Sequence, residues 1–423
     1  MIVEFTVGNF LSFNEKRTLN FEARGGVSEL KDNFFTVEKQ NLLRSIVVYG
    51  ANSSGKSNLI KAFSRMRECI FQSIKLNFSD ELYYSPFLLS TENRDQPTFF
   101  EIIFIKDGKR FRYGFEYNQT KVVNEWLFVR KNTRTEKHLF IRTPEGIGIS
   151  NCFKEGKGLE GKTNDNRLFL SKVADENGQI AKQVMDCFFD FNTVSGIEHT
   201  GYGDFSVRMF QSELDGSKES MDFFKKLQLG FKGIEVVETE FTPAGLPKDM
   251  PSSVRAEIIK DMSGKKMVSL NTVHNVYNKQ GKATRTISWQ QERYESEGTK
   301  KIIDLSGPIF DTLMNGRVLI VDELDSKLHP LITMHIIKLF NSPETNPNNA
   351  QLLFATHDTN LLSTDIFRRD QVWFTEKDEV EQTDLYSLDD FVFADGTKVR
   401  KDANLEKNYI AGRYGAIPYI TNL

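Results

Sequence analysis

The stretch Gly50-Ala51-Asn52-Ser53-Ser54-Gly55-Lys56-Ser57 decides the fold. Two glycines bracket four small or polar residues, and a lysine and a hydroxyl follow at once. The apolar lead-in Ile46-Val47-Val48-Tyr49 predicts a buried strand. Residues from Asn58 onward predict a helix carrying Leu59, Phe63, Met66 and Ile70 on one face. A loop between a strand end and a helix N-terminus offers backbone N–H groups and positive dipole ends to a polyphosphate. A Cβ at Gly50 or Gly55 would obstruct that approach. Lys56 is suited to neutralise β- and γ-phosphates, and the Ser57 hydroxyl to hold Mg²⁺. The pattern predicts a nucleoside triphosphate site, with Ala51, Asn52, Ser53, Ser54 and Asn58 completing its lining.

The bulk composition narrows the setting. The 423 residues carry 55 basic and 58 acidic side chains, a net charge of −3, so no global basic field attracts nucleic acid. Any DNA or RNA contact has to come from a local patch. Cys69, Cys152 and Cys187 are odd in number and widely spaced, which suits reduced thiols in a cytoplasm and gives no zinc-ligand spacing. The first residues lack a basic region followed by a long apolar one, and no apolar run is long enough for a membrane span. The expectation is a soluble, cytoplasmic protein without a membrane partner.

A second dense pattern lies far downstream. Val318-Leu319-Ile320-Val321 is an unbroken apolar run ending in Asp322-Glu323, the form of a buried parallel strand that delivers carboxylates at its C-terminal end. Asp322 is suited to share the Mg²⁺ with Ser57, and Glu323 to orient or deprotonate the water that attacks the γ-phosphate. After a predicted helix over 331–340, Gln351–Thr356 reads as another strand, ending in His357-Asp358. A histidine there can hydrogen-bond a γ-phosphate. Asp325 lies just past the carboxylates. Upstream, Glu295-Ser296-Glu297-Gly298-Thr299-Lys300 opens an apolar-periodic helix. Ser296 fits its N-cap, and Gly298 permits close backbone approach to a ligand.

In this order (strand, phosphate loop, long insertion, Ser-x-Gly helix, Asp-Glu strand, Asp325 and His357) the chain resembles the ATPase head of the ABC/SMC superfamily, including RecF and the SMC-type DNA-repair ATPases. The opening Val7-Gly8-Asn9-Phe10-Leu11-Ser12-Phe13 strengthens the resemblance. More narrowly, the chain is similar to the RloA-like AAA-family ATPases of bacterial restriction and abortive-infection loci. Leu168–Ser171, Trp373–Asp378 and Gly412–Pro418 fit that group. The resemblance implies an α/β P-loop NTPase in which two heads sandwich two ATPs. Lys56, Ser57, Asp322, Glu323 and His357 then act in cis, Ser296 and Gly298 in trans, and Asp325 at the dimer seam. The signature departs from Leu-Ser-Gly-Gly-Gln, with Glu295 first and Thr299 last. No glutamine can be assigned to the Mg²⁺-sensing position, and Gln96, in a polar turn, suits it poorly.

The expected organisation is an N-terminal half-head with a β-rich arm over 1–149, a mostly helical insertion over 150–262, and a C-terminal half-head over 263–423. Helices are predicted at 180–189 and 221–229, with turns at Pro243, Pro247 and Pro251. Residues 99–130 predict a hairpin around Asp107-Gly108 whose Lys109, Arg110 and Arg112 form a solvated sheet face or a nucleic-acid contact. Residues 267–289 predict a second hairpin turning at 279–281. Neither a sustained heptad nor a Toprim motif is present, and His274-Asn275 lacks the companions of an HNH nuclease site.

Together these readings predict a Mg²⁺-dependent ATPase that works as a dimeric switch, with room for larger assemblies. The resemblance places it in anti-phage defence or DNA transactions, controlling a separate effector such as a nuclease. A transporter's nucleotide-binding subunit and a scaffold that binds ATP with little hydrolysis are the competing readings.

Overall fold

The computed structural model describes residues 1–131, 135–196, 202–246 and 250–418. The chain forms two compact units. One comprises Met1–Ile197 with Thr312–Leu423, and the other Glu198–Asp311. These divisions fall at other points than the sequence-based 149/150 and 262/263, because the chain enters the P-loop sheet again before the insertion begins.

In the first unit, β1 (Ile2–Gly8) lies between β2 (Arg17–Asn20) and a strand from nearly a hundred residues later. A small hairpin, β3 (Phe34–Val37) and β4 (Gln40–Leu43), leads into β5 (Ser45–Gly50), which is buried throughout. Helix α1 (Lys56–Gln72) follows the phosphate loop and buries Leu59, Phe63, Met66 and Ile70, the face its periodicity predicts. Strands β6 (Thr98–Lys106), β7 (Lys109–Tyr117), β8 (Val122–Arg130), β9 (Lys137–Thr143) and β10 (Gly146–Ile149) form a meander. Its sheet runs β10-β9-β8-β7-β6-β1-β2, so the predicted hairpin at Asp107-Gly108 is one turn of a larger antiparallel sheet. Helices α2 (Phe169–Asp175) and α3 (Gln179–Phe189) precede β11 (Phe191–Ser195), a strand the helical reading of this region missed. Its Asn192, Thr193 and Ser195 lack the apolar run of a buried strand.

The second unit carries α4 (Gly203–Gln211), α5 (Ser217–Leu227), β12 (Gly233–Glu240), α6 (Ser252–Met262), β13 (Lys266–Tyr277), β14 (Ala283–Gln290) and α7 (Gln291–Tyr294). Helix α8 (Glu297–Asn315) leads out of it. The predicted second hairpin is present as β13–β14, and β12 adds a third strand to it. Strand β12 was not foreseen, since its polar residues fall on both faces and most of it stays accessible. The turn residue Pro247 lies outside the described residues.

Back in the first unit, β15 (Val318–Asp322), α9 (Pro330–Asn341), β16 (Gln351–Ala355), β17 (Val372–Lys377), β18 (Thr383–Ser387) and α10 (Leu405–Ile410) complete the chain's described elements. The second large sheet runs β11-β15-β16-β5-β17-β18, parallel except for β18. Parallel strands buried on both faces account for the unbroken apolar runs in β5, β15 and β16. Helix α1 lies between the two large sheets: Phe63 stacks on Phe5 of β1 with ring centroids 3.7 Å apart, and α1 also contacts β5, β11 and β15. This order carries the C-terminal ends of β5, β15 and β16 to one edge, where open α/β sheets place their ligands.

Candidate functional site

The loop after β5 is shaped by backbone geometry before any side chain is considered. Gly55 sits at φ +116°, and a Cβ there would run into the side chain of Thr383. A Cβ on Gly50 would meet Ser54 Oγ and the carbonyl oxygen of Thr375, each at 2.5 Å. Lys56 is almost fully buried, and its Nζ donates to the carbonyls of Gly50 at 2.8 Å and Ala51 at 3.0 Å. Burial lowers its pKa to about 8, against the opposing pull of Asp322, Glu323 and Asp325. Three carboxylates remote in sequence therefore act on the loop lysine.

Strands β15 and β16, parallel neighbours beside β5, bring in the second cluster. Asp322 ends β15, and Glu323 then takes a left-handed backbone, φ +53°, that turns the chain out of the sheet. One carboxylate oxygen of Asp322 and one of Asp325 are buried without a hydrogen-bond partner among the described residues. A buried carboxylate oxygen lacking a donor is costly, and a cation would satisfy it. Asp322 together with the Ser57 hydroxyl is the all-oxygen donor set that Mg²⁺ prefers, so the residues present fit the ion. His357 follows β16 and is exposed. Its imidazole is held below the ordinary range, first by partial desolvation and then by the Lys56 ammonium, while Asp325, Glu323 and Asp322 pull the other way. One cleft of about 490 Å³ is lined by Asn52, Ser53, Ser54, Gly55, Lys56, Ser57 and Asn58, together with Glu323 and His357. Phosphate loop, carboxylate strand and histidine thus converge within the first unit.

Ser296 and Gly298 lie in the second unit. Ser296 Oγ accepts from the Thr299 backbone N–H at 3.2 Å, so the serine caps α8 as its position predicts. Glu295 is tied down more firmly. Its Oε1 accepts from Thr272 Oγ1 at 2.5 Å and Trp289 Nε1 at 3.1 Å, and lies 2.9 Å from His274 Nε2. Burial would raise the Glu295 carboxyl, but these hydrogen bonds hold it below its usual value. His274, stacked on Trp289 with centroids 4.1 Å apart, is occupied in fixing Glu295.

The sequence matches, over residues 45–363, the model of a family described as "AAA domain, putative AbiEii toxin, Type IV TA system". That span covers about three quarters of the chain and contains the loop, both carboxylates and His357. The chain belongs to this AAA family.

Among solved structures the AAA chain is similar to the SMC head domain from Thermotoga maritima. The two share 13% identity and a TM-score of 0.42, over 91% of this chain and 98% of that one. It is also similar to an Smc head bound to the C-terminal winged-helix domain of ScpA (13%, TM-score 0.45, 91% and 97%). A third similarity is to the recombination mediator RecF of the RecFOR pathway (13%, TM-score 0.34, 91% and 98%). A comparison with curated proteins returns no match.

Two parts of the AAA chain's cleft escaped the sequence reading. Ser12 and Lys377 line it. Ser12 Oγ accepts from Asn58 Nδ2 at 2.8 Å and lies 2.7 Å from Thr383 Oγ1, and Thr383 Oγ1 also donates to the carbonyl of Ser54 at 2.9 Å. The sequence signals were present, in the Asn-Phe-x-Ser-Phe run and the Trp373–Asp378 strand, but the pairings that bring them to the loop are long-range. Beside the carboxylate strand, in parallel register, Ser195 stands opposite Asp322, and the Gly196 N–H donates to the Asp322 carbonyl at 2.6 Å. Gln96 keeps its place in a turn, its carbonyl accepting from the Asn9 side chain at 2.5 Å. The basic residues of β7 are engaged: Arg110 and Arg112 with Glu136 at 2.7 and 2.9 Å, and Lys109 with Gln183 at 3.0 Å. Arg110 and Arg112 share one face of the strand and are charge-compensated by Glu136 and Glu101, whereas Lys109 belongs to the opposite face and meets a neutral amide. No helix of the AAA chain, among the described residues, is long and apolar enough to cross a membrane.

Proposed function

We propose that the protein is a Mg²⁺-dependent ATPase, hydrolysing ATP to ADP and phosphate, and that it works as a dimeric switch. The observation carrying this reading is the single cleft that joins the Gly50–Asn58 loop to Glu323 and His357. Loop N–H groups and Lys56 bind the phosphate chain, exchanging the lysine's contacts with Gly50 and Ala51 for phosphate oxygens. Ser57 and Asp322 would hold Mg²⁺, which when bound would supply positive charge to the phosphate chain. Glu323 orients the attacking water and accepts its proton, and His357 donates a hydrogen bond to the γ-phosphate. Asn52, Ser53 and Ser54 shape the cradle, and Asp325 adds negative charge beside Lys56.

Ser296 and Gly298 of a second copy close over the γ-phosphate, so that binding favours paired heads and hydrolysis releases them. This reading extends to a cytoplasmic, RloA-like role in anti-phage defence or DNA transactions, in which the paired state controls a separate effector such as a nuclease. The family's description, which names a toxin–antitoxin system, supports that setting. DNA or RNA as a partner and larger assemblies are both compatible with this reading.

Phosphate release measured with and without Mg²⁺, on the wild type and on Lys56→Ala, tests the core of the proposal. Turnover is expected only with the ion and only in the wild type. Equal release by Lys56→Ala overturns it.

A further inference from the structure

The hairpin formed by β17 and β18 grips the phosphate loop from the side away from the carboxylates. Strand order places β16 and β15 on one flank of β5 and β17 on the other. Thr375 of β17 pairs with Gly50, and its Oγ1 lies 2.7 Å from Ser54 Oγ. Side chains two residues apart on a strand share a face, so Lys377 leaves the sheet on the same side as Thr375. Directly across the hairpin from Lys377 is Thr383, whose hydroxyl donates to the Ser54 carbonyl at 2.9 Å and which packs against Gly55. Both neighbours of Lys377 on that face thus touch the loop, and Lys377 itself lines the cleft. Its ammonium is 3.4 Å from Glu381, an accessible ion pair of the kind that exchanges readily for a stronger anion.

We propose that Lys377 is a second phosphate-binding cation of this cleft, meeting the polyphosphate chain of the nucleotide from the flank opposite Glu323 and His357. The inference rests on the reading of the cleft as a nucleotide site and adds a residue to it. Even with Mg²⁺ bound, a triphosphate keeps about two negative charges, more than one lysine and a helix N-terminus offset, and a cation on the other flank supplies the balance. Glu381 holds that cation in place while no anion is present.

The experiment is equilibrium binding of ATP, and of inorganic tripolyphosphate in competition with a fluorescent ATP analogue, at two salt concentrations. It compares the wild type with Lys377→Ala, Lys377→Arg, Glu381→Gln and Lys56→Ala, each checked for folding by circular dichroism. Lys377→Ala is expected to weaken ATP and tripolyphosphate alike by about tenfold, the size of one charge-assisted hydrogen bond. Its salt dependence should be shallower, while Lys377→Arg stays close to wild type and Glu381→Gln binds as tightly or tighter. Unchanged affinity in Lys377→Ala overturns the proposal. So does a loss confined to ATP, which would assign the contact to the nucleoside, or weaker binding by Glu381→Gln, which would assign the effect to hairpin integrity. If Lys56→Ala also binds ATP normally, the nucleotide site itself fails; if only Lys377→Ala does, this inference alone falls.

Discussion

Lys56 Nζ donates a 2.8 Å hydrogen bond to the carbonyl of Gly50, so the loop's own backbone holds the cation that would meet phosphate. With its pKa lowered to about 8, this lysine is protonated at neutral pH and loses its proton well before an ordinary lysine. A polyphosphate favours the charged form and raises the pKa, so binding must take up a proton in the window above 8. ATP affinity is expected to be full near pH 7 and to fall as pH rises through 8 and beyond. Calorimetry in buffers of different ionisation enthalpy should show net proton uptake on binding that grows as pH rises from 7 through 8. No uptake, or affinity that rises with pH, contradicts this account.

Replacement of Glu323 by Gln keeps the shape of the cleft and removes the proton acceptor. ATP turnover is expected to fall by about a hundredfold or more, within the range of a lost general base, with ATP affinity retained. The slow variant should accumulate as paired copies when ATP is added, visible as a doubled mass in light scattering. Wild-type turnover in this variant would assign the water to another residue.

Gly55→Ala introduces a Cβ where φ is +116° and the Thr383 side chain already fills the space. Strain and collision add, and a destabilisation of about 2 kcal/mol or more is expected, together with loss of ATP binding. Pairing Gly55→Ala with Thr383→Ala, which removes both the colliding hydroxyl and the methyl, should relieve the collision but not the strain term. Thermal unfolding of the single and double variants measures both.

Glu295 acts through others. Glu295→Ala leaves Trp289 Nε1 without its acceptor and Thr272 Oγ1 with only His274 Nε2 at 3.1 Å, at a cost of about 2 kcal/mol in the second unit. Hydrogen exchange of β13 and β14 should rise. If Ser296 works in trans, turnover should drop while ATP affinity on the Lys56 loop stays unchanged, and Glu295→Gln, which still accepts hydrogen bonds, should rescue part of it. A loss of ATP affinity instead would tie Glu295 to binding rather than closure.

Much of the cleft was legible because its residues sit in local patterns. The glycine spacing around Lys56 and the apolar run ending at Asp322-Glu323 each declare themselves within ten residues. Lys377, Thr375 and Thr383 do not, because their meaning comes from β17 pairing with a strand more than three hundred residues earlier. The β7 arginines were legible as charges but not as compensated ones, since Glu136 reaches them from beyond β8. The same holds for the fold: α1 and β5 follow from periodicity, whereas the pairing of β1 with β6 leaves no mark in either segment alone. Strand β11 was missed because a parallel strand with polar residues at three of five positions imitates a loop.

The parallel sheet also sets a timetable for synthesis. Strand β5 is made well before the strands that flank it, β16 and β17, which follow about three hundred residues later. At ribosomal speeds that is a delay of roughly fifteen seconds to a minute. Throughout it, Ile46, Val47 and Val48 have no β-partner on either side. The newborn chain should therefore lean on holdase chaperones, and its yield should fall more steeply than its equilibrium stability when translation pauses before Gln351.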